Sequence, residues 1–443
     1  MIIYFHIDEL NRDAITASIL KKKLKKRGHH LIYGNRITMR LLDYFHNFID
    51  VIIMPRPHFL YDNFKDRWLL WDSKFITIST ESLGIMTADK ELMAKTLLER
   101  EYFEDNKKYV NRIDAFCVWG KRQLVAIEEF AAEVRDKFYF VGHPRYDNEC
   151  LKNSHFNQNK KKNSKTKIGI ISRGNALNDY YKRTTLESFS EYLSEKINYE
   201  YNNKKSGKML LFKRQKPMEA IVCQSIDTAN IINIIKSLID LDYEINFRAH
   251  PKENLDVWQK IFRQYNLKIK FSKPEQPISY WLEDLDYVIG PPSTAFYDSV
   301  INNVTPISID QIDPRRKLFV TDLSEDNNSL MSHVFRPKNI KEIKEFIIQN
   351  KKINITDKIK NIFSEEVGYP ECQASLNNLI NVCEKISKSE NIIKKRQNFY
   401  YFYLFFQIFY SFLWDLKSFI IRRKSNSAMY SLNFKIIRYI NNL

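Results

Sequence analysis

The sequence predicts an α/β chain of two doubly wound, parallel-sheet domains facing a cleft, followed by a helical tail. Three observations predict it. Short apolar runs of strand character alternate with amphipathic runs of helix character from the first residues onward. A polar stretch rich in lysine and asparagine interrupts this alternation once, after which it restarts. The end of the chain then changes in kind, to aromatic residues between basic clusters. Alternation of strand and helix implies crossover connections and a parallel sheet covered on both faces. The predicted boundaries are 1–150 for the first domain, 151–167 for the linker, 168–385 for the second domain and 386–443 for the tail.

The elements follow in order. "IIYFHI" at 2–7 reads as a strand, and a helix pattern from Asp13 to Lys26 follows it, closed by Gly28. "HLIYG", a helix around "MRLLDYF", "VIIM" stopped by "PRP", "FITIST" (75–80), "AFCVWG" (115–120), the helix "KRQLVAIEEFAAEVRDKF" and "YFVG" (139–142) complete the first series. The second series runs from "KIGIIS" (167–172) through helix patterns between Thr184 and Asp240. It continues with "YEINFRAH", "LDVWQKIFRQY", "LKIKFS", "ISYWLEDL", "YVIG", "STAFYDSVI" and "TPISID", reaching about Asn350.

With 443 residues, 44% of them hydrophobic, the chain can bury sizeable cores. Its five cysteines show neither CxxC nor metal-type spacing, so no disulfide framework or zinc site is expected, and the expected compartment is the cytoplasm. The start "MIIYFHIDELNRD" lacks the basic opening and apolar core of a signal peptide. The formal net charge of +17 is spread over lysine-rich runs such as "KKKLKKRG" (21–28), and no nucleic-acid-binding motif accompanies it, so no nucleic-acid partner is expected. In the tail, "KKRQNFYYFYLFFQIFYSFLWDLKSFIIRRK" (394–424) has an apolar core shorter than the ~20 residues that a spanning helix needs. Its tyrosines and flanking Lys and Arg suit an anionic inner-leaflet surface, and the competing reading is a helix packed on the protein's own domains.

Two stretches carry the expected chemistry. In "INFRAHPKEN" (245–254) a strand stops at His250, and Pro251 biases its backbone to an extended form. In open parallel sheets ligands bind beyond the carboxyl ends of strands, which is where His250 falls. Arg248 lies two residues earlier on the same strand face, and Lys252 follows. In "DYVIGPPSTAFYDSV" (286–300), Gly290 allows close backbone approach, two prolines force a turn, and Ser293 and Thr294 stand where a helix begins. An imidazole and two hydroxyls at neighbouring strand ends make an expected phosphate site. "ISRGNALND" (171–179) adds Arg173, Gly174 and Asn175 at the first strand end of the same domain. "VGHPRYD" (141–147) brings His143, Arg145 and Asp147 to the last strand end of the first domain, as cleft contacts or as a pair that fixes the hinge. The Asp-x-Asp pattern at Asp284 and Asp286 reads as a turn, and no metal is expected.

"FRAHPKE" with "GPPSTAFYDS" resembles the nucleotide-sugar half of two-domain GT-B-type glycosyltransferases, among them sialyltransferase, Kdo-transferase and CDP-glycerol-type enzymes and the relatives of UDP-GlcNAc epimerase. "DELNRDAITASILKKKLKKRGHHLIYGNR", "STESLG", "DAFCVWGKRQLVAI" and "FYFVGHPRYD" look like bacterial surface carbohydrate biosynthesis proteins, over about residues 1–385. The resemblance implies two Rossmann-like domains and a glycosyltransferase for capsule or lipopolysaccharide glycans, acting at the inner membrane surface. Its partners would be a nucleotide-sugar donor and a glycan or glycolipid acceptor. It carries donor-phosphate contacts to His250, Ser293 and Thr294. A CMP-linked ulosonic acid is expected in preference to a UDP-linked sugar, with no separate cofactor. The catalytic base is expected from the first domain, as Glu81 or Asp13 with Glu9 behind them, and Arg12 nearby on the acceptor side. An epimerase or hydrolase, a polyol-phosphate transferase and a non-catalytic membrane protein are the alternatives.

Overall fold

In the computed structural model the described residues are 1–7, 10–35, 37–78, 90–98, 106–148, 150, 165–174, 177–178, 184–185, 217–239, 241, 243–272, 276–318, 329–372, 374–387 and 393–421. The chain divides into two compact units, one formed by Met1–Ser154 with Asp357–Leu443 and the other by His155–Thr356. Each is an α/β unit around a parallel sheet.

The sheet of the first unit holds β1 (Ile2–His6), β2 (His30–Gly34), β3 (Val51–Met54), β4 (Lys74–Ile78), β5 (Ala115–Val118) and β6 (Phe138–Phe140) in the order β2-β1-β3-β4-β5-β6. Strands such as β1 and β3 are buried along their whole length, which is why they read as unbroken apolar runs. Alternate residues feed two separate cores. Tyr4, Ile52, Phe75 and Phe116 point to one face, and Ile3, Ile53, Ile76 and Cys117 to the other. Helix Leu10–Lys26 packs on the second of these faces. It ends, as expected, at Gly28, whose φ of 77° is left-handed and lets the Gly28 amide donate back to the Lys25 carbonyl.

The second sheet holds β7 (Lys167–Ile171), β8 (Glu244–Arg248), β9 (Lys270–Phe271), β10 (Tyr287–Gly290) and β11 (Thr305–Ser308) in the order β11-β10-β7-β8-β9. From β7 the chain builds outward through β8 and β9, then crosses back to lay β10 and β11 on the other side. The order therefore reverses between β7 and β10, and that gap is the topological switch point of this unit.

Several expectations change. The second unit closes at Thr356 rather than near 385. Helices Asp357–Val367 and Ser375–Ile386 cover the first unit instead: Leu376, Leu379, Ile380 and Cys383 fill its second core. The expected linker falls mainly on residues 151–164, outside the described residues, as does most of the helical pattern between Thr184 and Pro217. The helix expected over 121–138 breaks at Ala131 into helix Lys121–Phe130 and a 3-10 turn, Ala132–Lys137. The tail forms helix Ile393–Ile421, whose Phe399, Tyr400 and Tyr403 pack into the first core. Among the described residues no helix is long and apolar enough to cross a membrane.

Candidate functional site at the carboxyl edge of the second sheet

The register aligns Ile171 of β7 with Arg248 of β8, and Ile289 of β10 with Ile170 of β7. Gly290, Ile171 and Arg248 thus form one row across the sheet, and the residues beyond them form its carboxyl edge. Gly290 is needed there: a Cβ on it would stand 2.7 Å from the Ile171 carbonyl oxygen and 2.3 Å from that side chain. The edge carries Ser172, Arg173 and Gly174 in the centre, His250 on one side, and Ser293 and Thr294 on the other. The sequence reading made the last two groups direct neighbours. The topology sets β7 between them, so their backbones are separated by about two strand spacings, roughly 10 Å. An anion seated over the end of β7 has each of them about one spacing away.

His250 is half-buried and held by its own loop. Its Nδ1 accepts the Lys252 amide at 3.2 Å, so the neutral ring carries its proton on Nε2 and presents a donor there. Its amide donates to the Glu253 carboxylate at 2.8 Å and to Ser172 Oγ at 3.3 Å. Lys252 itself is exposed. On the other side, Ser293 Oγ accepts the Ala295 amide at 3.2 Å, leaving its hydroxyl proton for another acceptor. Helix Ala295–Ile301 has only seven residues, so its dipole contributes little and the hydroxyls are the donors that matter. Arg173 is exposed at the end of β7.

Arg248 does something other than the expected phosphate contact. Its guanidinium is buried, donating to Ser272 Oγ at 2.8 Å and to the Gln276 carbonyl at 2.7 Å, with the Trp281 ring 5.8 Å away. Burial lowers its pKa to about 10, and the Asp298 carboxylate pulls the other way. It ties the end of β8 to the segment after β9.

Glu253 was missed by the sequence reading. Buried to 4% exposure, its carboxylate accepts the Ser172 hydroxyl, the Gly174 amide and the His250 amide, and so ties the loop after β7 to the loop after β8. Burial raises its pKa, while these hydrogen bonds pull it down. The sequence placed no carboxylate at the first strand end, yet one arrives from the next loop. The available signal was an acid three residues after a strand-ending histidine.

A second group of charges lies near the same edge. Arg316 and Asp227 form a buried two-pronged ion pair at 2.8 and 3.2 Å, and Arg336 pairs with Asp310 beyond β11 at 2.5 Å. Asp284 and Asp286 stand at the opposite edge. Asp286 accepts the Lys167 amide at 3.0 Å at the start of β7, and Asp284 pairs with the Lys167 ammonium at 3.5 Å, which fits a structural turn.

Among the described residues of the first unit, Asp13, His143 and Asp147 of the expected acceptor side are buried. Asp13 lies in the first turn of its helix at 2% exposure. His143 is buried, its ring 4.1 Å from that of Trp119, and its Nδ1 accepts the Arg145 amide at 3.1 Å. Asp147 accepts the Leu376 amide at 3.0 Å, and Arg145 donates to the Tyr146 hydroxyl at 3.2 Å. The His143 carbonyl, which accepts the Ser375 hydroxyl at 3.2 Å, and the Asp147 carboxylate thus hold the returning helix Ser375–Ile386. Arg12 lies in helix Leu10–Lys26. Glu9, Glu81 and Asn175 lie outside the described residues.

No protein-family model matches the chain, and no curated protein matches it. Solved structures do align with it. The S. aureus MnaA–UDP structure is 11% identical, with 88% of this chain and 99% of that chain covered and a TM-score of 0.47. The wall teichoic acid polymerase TagF is 13% identical, covering 88% and 89%, at 0.48. The Methanocaldococcus jannaschii UDP-GlcNAc 2-epimerase in complex with UDP-GlcNAc and UDP is 12% identical, covering 87% and 100%, at 0.45. The fold assignment rests on the two parallel sheets themselves.

Proposed function

We propose that the protein is a glycosyltransferase that moves a sugar from a nucleotide donor to a surface-glycan or lipid-linked acceptor at the inner membrane surface. One observation carries the donor half of this reading: His250, Arg173, Ser293 and Thr294 stand around the end of β7, at the switch point of the second sheet. Switch points of open parallel sheets are where nucleotide phosphates bind. In this reading the His250 Nε2 proton and the two hydroxyls donate to the phosphate, Arg173 supplies charge, and Lys252 adds a second cation. As the bond between sugar and phosphate breaks, negative charge grows on the leaving phosphate, so donors already aimed at it favour the transition state without a metal. Glu253 acts through position, keeping the two loops at fixed spacing.

The donor sugar belongs to the same proposal. The resemblance of the sequence to sialyltransferase and Kdo-transferase enzymes favours a CMP-linked ulosonic acid of the Kdo or sialic acid kind over a UDP-linked sugar. Glu81 and Glu9 are the proposed bases, and Arg12 a proposed acceptor contact. A polyol-phosphate transferase or an epimerase would use the same phosphate seat.

Thermal unfolding with CMP, CDP, UDP and GDP tests the reading. A nucleotide at ~100 times its Kd stabilises the folded state by about 2.7 kcal/mol. CMP is expected to raise the Tm of the wild type, and His250→Ala to abolish that rise. UDP acting alone would favour the epimerase or a hexose donor. No shift with any nucleotide would overturn the donor site.

A further inference from the structure

The tail helix is built inside out. Tyr403, Gln407 and Ser411 face the first unit and are fully buried, whereas Phe402, Phe405, Phe409 and Phe412 are exposed, Phe405 to 64%. Gln407 Nε2 donates to the Tyr33 carbonyl, but Gln407 Oε1, Ser411 Oγ and the Tyr403 hydroxyl have no hydrogen-bond partner among the described residues. A water-facing helix places its polar side chains outward, and this one turns them inward and offers aromatic rings to its surroundings. We propose that the outer stripe of helix Ile393–Ile421, with Phe48 beside it, is the surface on which the protein lies in an anionic lipid bilayer interface. This rests on the membrane-surface reading above and specifies which face meets the lipid.

Two further observations identify the occupant as lipid rather than a second copy of the chain. The apolar surface continues beyond the helix: the Phe48 ring stacks on Phe399 at 4.1 Å, and Phe45 meets Phe399, Phe402, Tyr403 and Phe406. In the sequence, Lys394, Lys395 and Arg396 precede the aromatic stripe, and Arg422, Arg423 and Lys424 follow it. Cations around an aromatic face complement anionic headgroups, whereas two chains of net charge +17 repel each other.

The helix direction matters for catalysis. Tyr400 meets His30 at the start of β2 at 4.8 Å, and Gln407 meets Tyr33 near its end. Seven helical residues rise about 10 Å and three strand residues also rise about 10 Å, so the helix runs along the edge strand toward the carboxyl edge of the sheet. Lying in the interface, it sets that edge alongside the lipid, where a lipid-linked acceptor is held.

Vesicle co-sedimentation of the full chain tests this, using phosphatidylcholine vesicles with and without phosphatidylglycerol. Binding is expected only with phosphatidylglycerol. Phe405→Ser, Phe409→Ser and Phe412→Ser together are expected to weaken it at least tenfold, with an unchanged melting curve and unchanged response to nucleotide. Arg422→Glu, Arg423→Glu and Lys424→Glu together are expected to weaken it several-fold at low salt and little at high salt. If the triple serine variant binds phosphatidylglycerol vesicles as tightly as the wild type does, this surface is overturned alone. If the full chain binds no vesicle, the membrane reading falls with it. A wild-type dimer that the serine substitutions convert to a monomer, without lipid binding, would assign the face to a second copy.

Discussion

Three donors converge on the Glu253 carboxylate: the Ser172 hydroxyl, the Gly174 amide and the His250 amide. Glutamine keeps the shape but turns an NH2 group toward at least one of those donors. An unsatisfied buried donor costs about 1–3 kcal/mol, so Glu253→Gln is expected to lower the unfolding free energy read from urea titrations by that amount and to weaken nucleotide binding by loosening His250. The carboxyl also predicts a pH slope. Its pKa is raised in the folded state, so between the ordinary glutamate range and the raised value the native protein holds the proton more than the unfolded chain does. Stability contributed by this group therefore falls as pH rises through that window, and is greatest below it. Urea midpoints measured from pH 4 to 7 should show a smaller fall with pH in Glu253→Gln than in the wild type, and equal slopes would sink the assignment.

At the scale of elements, helix Asp357–Val367 is seated on the first unit through one glycine. A Cβ on Gly120 would lie 2.0 Å from the Glu365 carbonyl oxygen, so the helix approaches the backbone more closely than any other residue allows. Beside it, Arg122 pairs with the fully buried Glu366 at 3.2 Å. Gly120→Ala must push the helix outward, an overpacking expected to cost about 1–3 kcal/mol, read as a lower Tm with faster proteolysis near residue 367. A melting curve identical to the wild type would contradict the close contact. The strands were legible because both faces of each are buried, which leaves continuous runs such as "VIIM". The sheet that a helix covers was not legible. The amphipathic period of residues 375–386 is the same whether Leu376 and Ile380 meet β5 or β10, and only a contact across hundreds of residues decides. For the same reason the sequence showed His250, Ser293, Thr294 and the loop of Arg173 at strand ends but not that this loop lies between the other two. It offered Arg248 and His143 as site residues because nothing local distinguishes a guanidinium or imidazole satisfied by neighbours from one awaiting a ligand. Glu253 escaped notice because its partners, Ser172 and Gly174, are some eighty residues away in the chain.

The whole molecule is assembled by a chain that starts the first unit, builds the second without interruption, and returns. That path makes the two units unequal in independence. Residues 155–356 contain all five strands of their sheet and a core of their own, including Ile168, Ile170, Phe247, Phe262, Tyr287 and Ile307. Residues 1–154 lack Leu376, Leu379 and Ile380 from one core and Phe399, Tyr400 and Tyr403 from the other. At about 1.5–3 kcal/mol for each buried side chain, their loss approaches or exceeds the ~5–15 kcal/mol that holds a domain folded. A chain of residues 155–356 is therefore expected to unfold cooperatively and to keep the nucleotide response of the full protein. A chain of residues 1–154 is expected to be unfolded by circular dichroism, and to regain structure when residues 357–443 are rejoined to it through a short linker. A cooperative melt from residues 1–154 alone would show that the returning helices are additions to a finished domain. Its absence, with rescue by the returning segment, would make the end of the chain a condition for folding its beginning.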